Sequence, residues 1–164
     1  DLIEIKKFFK KHKKIIIKPI HSYGGNDINL ISGKLNLLKI KQILKKHGHI
    51  MCQKFLNKIK FGDKRVFIIN GKVCGAISRV PKSGSILSNM SKGAKPKIAF
   101  LSNKELKVSN IIAKKIKKDG IYFAGIDFID GKLNGDINVT SPTGIKTYFD
   151  LTQINLAKTF WKGL

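Results

Sequence analysis

The 164-residue sequence predicts an α+β fold in which most neighbouring strands run antiparallel. Two short turns, Asn70-Gly71 and Asp130-Gly131, each join two apolar strand segments, and turns of two residues connect antiparallel strands. The hydrophobic patterns predict elements in the order helix–strand–strand–helix, followed by a sheet with two more helices. The length is sufficient for one domain or for two small lobes.

The first part of the chain carries the helix–strand–strand–helix pattern. The predicted elements are a helix over 3–12, strands over 14–18 and 28–31, and a helix over 37–47 that Asn36 caps and Gly48 ends. Lys18 lies at the end of the first strand, and a Gly24-Gly25 turn leads to the second. Glycines let backbone N–H groups approach a phosphate, although a Gly-Gly pair is more often only a turn.

The remainder predicts a larger sheet. Strands are predicted over 50–56, 64–70, 73–80 and 121–129, with an aperiodic loop over 82–98 and helices over 102–118 and 152–162. Ser102 and Glu105 form a capping box, and Leu106, Ala113 and Ile116 are expected on the buried stripe of that helix. An aperiodic loop of such length in a compact domain is predicted to be functional or disordered.

The polar face of the last hairpin is a candidate metal site. With Asp130-Gly131 as a two-residue turn, a regular register pairs Ile129 with Lys132, Asp127 with Asn134, and Ala124 with Ile137. This register puts Asp127, Asp136 and Asn138 on one face, where carboxylate and amide oxygens suit Mg²⁺. The open alternative is a solvated face with scattered polar side chains.

The formal net charge of +23 invites comparison with nucleic-acid-binding modules. However, 31 of the 33 basic residues are lysines, scattered through a sequence that is also rich in Ile and Asn. This distribution indicates a coding bias more than a binding stripe, so nucleic acid is not expected as a partner, and a basic nucleic-acid-binding module stays the alternative from another class. The two arginines, Arg65 and Arg79, are candidates for planar recognition of a carboxylate or phosphate.

Other features of the sequence concern the cellular location of the protein, its glycosylation and its cysteines. No apolar run approaches 18 residues and the start has no signal-peptide pattern, so we expect a cytoplasmic protein without a membrane partner. The N-x-Ser/Thr matches at Asn89 and Asn138 are interpreted as chance. Cys52 and Cys74 are expected to be buried thiols, with a disulfide or a metal pair as the alternative. Because the sequence begins at Asp1, we expect a fragment or a trimmed product.

Several motifs together resemble the ATP-grasp superfamily and, within it, prokaryotic-type glutathione synthetases, nearly from end to end. They are Ile17-Lys18-Pro19 followed by Gly24-Gly25; Gln53-Lys54-Phe55-Leu56; Gly62-Asp63-Lys64-Arg65-Val66; Ser78-Arg79-Val80-Pro81; Gly125-Ile126-Asp127; and the run from Asp136 to Thr143. The resemblance implies an ATP-grasp fold of two α+β lobes with antiparallel sheets and the nucleotide between them. Residues 1–49 would be part of the small nucleotide-binding lobe and 50–164 the large lobe with the metal and substrate site. The N-terminal substrate domain and the start of the small lobe would be absent.

The resemblance also implies a reaction. ATP would phosphorylate the C-terminal carboxylate of γ-glutamylcysteine, and the amine of glycine would attack the acyl phosphate to give glutathione. ATP and Mg²⁺ are the implied cofactors, with Mn²⁺ as an alternative metal, and the full-length protein is expected to be a homo-oligomer. Ligases of the ribosomal-protein glutamate and D-alanine–D-alanine types are the alternatives within the superfamily. The fragment alone is expected to be inactive.

Site roles follow from the resemblance alone. Lys18 would contact the ATP phosphates under the Gly24-Gly25 loop, Gln53, Lys54, Phe55 and Leu56 would form the adenine hinge, and Asp63 would lie near the ribose. Asp127, Asp136 and Asn138 would hold Mg²⁺. Arg65 and Arg79 would bind the peptide substrate or stabilise the acyl phosphate. Asn89, Ser141 and Thr143 would contact the peptide, with 82–98 as a lid.

Three positions depart from the family pattern. Asp136 stands where the family usually has Glu, so the metal would have to lie closer or be reached through water. Leu87 stands where the family often has Arg, and Gly93-Ala94 replaces a Gly-Gly pair. Of the contacts that the resemblance implies, those of the lid therefore match the family pattern least.

Overall fold

The computed structural model describes residues 1–22 and 24–163, with only the backbone at positions 134 and 135. The chain divides into two compact units, Asp1–Asn57 and Lys58–Leu164. The predicted boundary lay between 49 and 50, but the strand that begins at Ile50 pairs with the strand that begins at Lys14, so it belongs to the first unit. The predicted α+β class is confirmed, and each pair of neighbouring strands in the described residues is antiparallel.

The first unit is a three-stranded sheet with two helices. Its elements are α1 (Leu2–His12), β1 (Lys14–Pro19), β2 (Asn29–Ser32), α2 (Leu37–His47) and β3 (Ile50–Lys54), with the strand order β2-β1-β3. Ile15 and Ile17 of β1 are fully buried and pack in one cluster with Ile40 of α2. Asn36 begins α2 as predicted, because its Oδ1 accepts a hydrogen bond of 3.0 Å from the amide of Lys39.

The second unit is a five-stranded sheet in the order β6-β5-β4-β7-β8. Its elements are a 3₁₀ turn (Asn57–Phe61, which starts at the end of the first unit), β4 (Asp63–Ile69), β5 (Lys72–Val80), a 3₁₀ turn (Met90–Lys92), β6 (Lys95–Ile98), α3 (Asn103–Lys118), β7 (Phe123–Ile129), β8 (Lys132–Asn138), α4 (Ile145–Thr152) and α5 (Leu156–Trp161). Helices cover both faces of this sheet. Since side chains alternate along a strand, Val66 and Ile68 pack in the cluster with α3, whereas Phe67 and Ile69 pack in the cluster with α4 and α5.

A glycine makes the second helical layer possible. Gly75 of β5 lies beneath Tyr148 of α4, and a Cβ atom at position 75 would come within 2.5 Å of the tyrosine ring. Tyr148 is therefore able to lie close to the sheet, where its ring meets that of Phe67 edge to face at 5.7 Å between centroids. This packing holds α4 over the middle of the sheet.

Two predicted elements are wrong. The segment 82–98 is not a loop throughout, because its last residues form β6, which pairs with the end of β5. The predicted helix over 152–162 is replaced by α4 and α5. Gln153 has a left-handed conformation that ends α4, and Asn155 begins α5 by accepting a hydrogen bond of 3.0 Å from the amide of Lys158.

The capping box of α3 is confirmed, but its buried stripe differs from the prediction. Leu106 is 41% exposed, whereas Glu105 is buried and its Oε2 accepts hydrogen bonds from Lys64 at 2.8 Å and from the Ser102 amide and hydroxyl at 2.8 and 2.9 Å. Burial alone would raise the pKa of Glu105, but these donors outweigh it and hold that pKa below its ordinary value. A buried charge therefore fixes the start of α3 against β4.

The last hairpin keeps the predicted turn. Asp130 and Gly131 both have positive φ, of 53° and 67°, and Ile129 lies opposite Lys132. The predicted register beyond the turn is wrong, because Ile137 lies opposite Ile126 instead of Ala124.

A bulge causes this change of register. Between the pairs Phe128–Leu133 and Ile126–Ile137, β7 contributes one residue, Asp127, and β8 contributes three, 134–136. The side chain predicted opposite Asp127, that of Asn134, lies outside the described atoms. Beyond the bulge, β8 is displaced by two residues relative to the predicted register. Because side chains alternate between the faces, a displacement by an even number leaves Ile137 and Asn138 on their predicted faces.

The remaining sequence expectations concern the thiols and membranes. Cys52 and Cys74 are both free and partly buried, and burial raises the pKa of each thiol. None of the helices in the described part of the chain is long and apolar enough to cross a membrane.

Candidate functional site

Four charged side chains are buried together in the second unit, on the sheet face that carries α4 and α5. We call Asp63, Arg65, Arg79 and Asp127 the charge cluster. They come from three adjacent strands, β4, β5 and β7, and each is at most 7% exposed. Strand register brings them together, because Asp63 lies opposite Arg79 and Arg65 lies opposite Asp127.

Two of the three ion pairs in the charge cluster are bidentate. Arg65 donates from Nε and Nη2 to the two carboxylate oxygens of Asp127, each at 2.7 Å. Arg79 donates from Nε to Asp63 Oδ1 at 2.8 Å and from Nη2 to Asp63 Oδ2. Nη2 of Arg79 also lies 2.9 Å from Oδ2 of Asp127. Asp127 is therefore shared by both arginines, and the cluster has no formal net charge.

Burial and ion pairing shift the pKa values of Asp63 and Arg79. Burial, with a smaller contribution from the nearby Asp127 carboxylate, raises the pKa of Asp63 against the opposing effect of Arg79. Burial would lower the pKa of Arg79, but the two aspartates outweigh it and hold that pKa above its ordinary value. Arg79 therefore stays charged within the folded unit.

The predicted ribose contact of Asp63 stays a prediction. In the structure the carboxylate of Asp63 accepts hydrogen bonds from Arg79 and, at 2.7 Å, from the hydroxyl of Ser88. Sequence reasoning missed both of these contacts. The pairing of an aspartate with an arginine at opposite positions of a hairpin is the signal that could have revealed the first.

Gly125 provides the space in which Arg65 lies. A Cβ atom at this position would come 3.1 Å from Cβ of Pro142 and 3.3 Å from Cδ and Nε of Arg65. Nη1 of Arg65 lies 3.5 Å from the carbonyl oxygen of Thr143. The loop after β8, which includes Ser141 and Thr143, therefore lies against the charge cluster.

The candidate metal ligands lie on β7 and on the edge strand β8. Asn138 lies opposite Gly125, so strand alternation puts it on the face that carries Asp127, and Asp136 is the last residue of the bulge. The Oδ1 atom of Asn138 accepts hydrogen bonds from the amides of Ser141 at 3.1 Å and Thr140 at 3.3 Å, so this side chain also shapes the following turn.

The donor set suits Mg²⁺ in chemistry, since it consists of two carboxylates and one amide oxygen. Among the described residues, no three His, Cys, Asp or Glu side chains come together to hold a metal. Asp127 is also engaged by both arginines. Asp136 and Asn138 are partly exposed, and they are the members of the set nearest the open edge.

The predicted nucleotide residues other than Asp63 lie in the first unit. Lys18 is near the end of β1, opposite Met51, and Gly24 and Gly25 have positive φ in the turn before β2. Gln53 and Lys54 are on β3, opposite Ile16 and Ile15 of β1. The amide of Phe55 donates to the carbonyl of Lys14 at 3.1 Å, so the segment leading to Leu56 continues along β1.

The remaining predicted substrate residue, Asn89, begins the 3₁₀ turn Met90–Lys92. Its carbonyl oxygen accepts hydrogen bonds from the amides of Lys92 at 2.9 Å and Ala94 at 3.4 Å. Its backbone thus shapes the loop, and its substrate contact stays a prediction.

We predict that Asp127→Asn lowers the free energy of unfolding of the second unit by roughly 3–5 kcal/mol, because two buried arginines then share one carboxylate. Urea unfolding followed by circular dichroism measures the change. Asp130→Asn is the matched control, three residues along the chain, whose exposed ion pair with Lys58 spans 2.9 Å. It should change the free energy by less than about 1 kcal/mol. Equal losses in the two variants would show that the cluster contributes no special stability.

Comparison with known proteins agrees with this architecture. The family model described as prokaryotic glutathione synthetase, ATP-grasp domain, matches residues 1–153. Glutathione synthetase from Synechocystis sp. is 32% identical over 157 residues, which are 94% of this chain and 49% of the relative. The protein of the same name from Bradyrhizobium diazoefficiens is 34% identical over 98% of this chain and 52% of its own length. The chain spans about half the length of these curated relatives.

Solved structures share the fold at low sequence identity. The ATP-grasp ligase PsnB, complexed with a minimal precursor, Mg and ADP, superposes with a TM-score of 0.65 at 16% identity, over 99% of this chain and 50% of that one. Similarity at this identity shows the fold alone, whereas the length and the identity of the family match show family membership. The chain belongs to the prokaryotic glutathione synthetase ATP-grasp domain family.

Proposed function

We propose that the chain is the ATP-grasp portion of an ATP-dependent ligase that joins glycine to γ-glutamylcysteine through an acyl phosphate. Family membership and relatives named glutathione synthetase support this reaction. The structural observation that carries the proposal is the charge cluster, in which two arginines lie beside the strand pair that carries Asp127, Asp136 and Asn138. Planar guanidinium groups suit the carboxylate and the acyl phosphate of such a reaction.

Both arginines are oriented before a substrate arrives. Their strands and the two aspartates hold both guanidiniums in fixed positions, away from water, before substrate arrives. A donor that is already oriented in a site of low dielectric stabilises developing negative charge more than a mobile donor does. Arg65 and Arg79 are therefore assigned to the acyl phosphate, and Asn89, Ser141 and Thr143 to the peptide.

The metal ligands proposed are Asp136 and Asn138, with Asp127 as the third. These residues would hold Mg²⁺, which would supply positive charge against the phosphates of ATP. Asp127 then has two tasks, because the carboxylate proposed for the metal is also the one that both arginines share. In the first unit, Lys18 and the Gly24-Gly25 turn are assigned to the phosphates, and Gln53, Lys54, Phe55 and Leu56 to the adenine.

Three further expectations stay proposals. They are a cytoplasmic location, a homo-oligomeric full-length protein, and Mn²⁺ as an alternative to Mg²⁺. The structural neighbour PsnB, whose structure contains Mg and ADP, supports the choice of Mg²⁺.

We predict that the protein at its full length releases phosphate from ATP only when Mg²⁺, γ-glutamylcysteine and glycine are all present, because the acyl phosphate needs both the acid and the amine. A coupled phosphate assay with single omissions measures this. Release with two D-alanine molecules, or with glutamate as the added amino acid, and not with this pair, would refute the substrates and assign the chain to another ATP-grasp ligase.

We also predict that Asp136→Ala and Asn138→Ala each lower turnover by roughly 100-fold, and raise the Mg²⁺ concentration needed for half-maximal rate, because each removes an oxygen ligand. Asp136→Glu keeps the carboxylate and should retain most of the turnover. Asp150→Ala, which removes an exposed pair with Lys146 on α4, is the control and should leave turnover unchanged. Normal Mg²⁺ dependence in both alanine variants would contradict the metal role.

A further inference from the structure

The segment between β5 and β6 returns to the charge cluster. We call residues 81–94 the lid loop. Its two stems are β5 and β6, and Arg79, near the end of β5, lies opposite Asp63 on one side and Pro96 on the other. The strand residue that leads into the lid loop is thus itself a member of the charge cluster.

One side chain of the lid loop donates directly to the cluster. The hydroxyl of Ser88 lies 2.7 Å from Oδ2 of Asp63, the same oxygen that accepts from Nη2 of Arg79. Hydrogen bonds to a carboxylate of this length are among the stronger ones in proteins. Asp63 is an immobile acceptor, because it is 2% exposed and is held by the bidentate pair with Arg79.

The lid loop also has a weaker contact with α4. The hydroxyl of Thr147 lies 3.5 Å from the sulfur of Met90, and a thioether is a poor acceptor. The Ser88–Asp63 bond is therefore the stronger of these two attachments. It places the middle of the lid loop at a fixed distance from Arg79.

The cluster also reaches the second loop assigned to the substrate. Arg79 contacts Asp127, Asp127 binds Arg65, and Arg65 approaches the carbonyl oxygen of Thr143. A continuous series of polar contacts thus runs from Ser88 across three strands to the loop after β8. Both loops thus contact the charge cluster, the lid loop through Asp63 and the loop after β8 through Arg65.

We propose that Ser88 is a positioning residue that latches the lid loop to the charge cluster through Asp63, so that the loop and Arg79 are oriented together for the anionic substrate. The substrate part of this inference rests on the proposed ligase function. The latch itself is a property of the folded second unit.

The test compares Ser88→Ala with Ser88→Thr and with Ser83→Ala, an exposed serine of the same loop. Hydrogen–deuterium exchange of the full-length protein, measured on amides 82–94, reports the latch without substrate. We expect Ser88→Ala to speed exchange about tenfold, the change that accompanies loss of one hydrogen bond to a charged group. Ser88→Thr keeps the hydroxyl and should restore slow exchange, and Ser83→Ala should match the parent protein.

The second readout is the Michaelis constant for γ-glutamylcysteine. It should rise roughly tenfold in Ser88→Ala, with the constant for ATP unchanged and rescue by Ser88→Thr. Unchanged exchange in Ser88→Ala would overturn the latch, whatever the enzyme does. Faster exchange with an unchanged Michaelis constant would overturn the positioning role. Absence of turnover in the parent protein with this substrate would instead refute the proposed function, and the exchange data would still decide the latch.

Discussion

The second unit depends on the ion pairs among Asp63, Arg65, Arg79 and Asp127. Charges removed from water are tolerated only when each is paired and hydrogen-bonded, and removal of one partner leaves another buried and uncompensated. The pairs therefore require β4 to lie between β5 and β7 in one register. Glycine at position 125 also leaves room for them, because a Cβ atom there would lie 3.1 Å from Pro142 and 3.3 Å from Arg65.

The same constraint explains an oddity of composition. A chain with 31 lysines uses arginine only at positions 65 and 79. Lysine presents a single ammonium point charge and cannot donate two parallel N–H groups to one carboxylate, as both arginines do. The two arginines thus mark the place where planar geometry is needed. The many lysines elsewhere in the sequence do not need this planar geometry.

Local signals in the sequence were sufficient for much of the fold. Asn36 at the start of α2, the capping box at Ser102 and the turn at Asp130 involve residues close in sequence, and all three are confirmed. The bulge in β8 was not predictable from the turn, because a regular register is the only one that turn geometry implies. Helix α4 was missed, and Tyr148, which packs it over Gly75, makes a contact between distant parts of the chain that local patterns do not show.

The candidate site was likewise predictable only in part, because some of its features depend on contacts between distant residues. Composition selected both arginines, and the hairpin pattern selected Asp127. Neither revealed that these groups neutralise one another or that Ser88 reaches Asp63, because both facts depend on the pairing of β4 with its neighbours. The family resemblance supplied the proposed reaction, and the structure shows which carboxylates hold the arginines in place.

The most direct test follows the Nε–H resonances of Arg65 and Arg79 in the ¹⁵N NMR spectrum of the full-length protein, assigned with Arg65→Lys and Arg79→Lys variants. If the charge cluster is a preformed anion site, both resonances are observable at neutral pH in the free protein, because buried ion-paired groups exchange slowly with water. Both then shift when a phosphinate analogue of the acyl phosphate binds with ADP and Mg²⁺. Binding of the analogue, established by calorimetry, with neither resonance displaced would contradict the account.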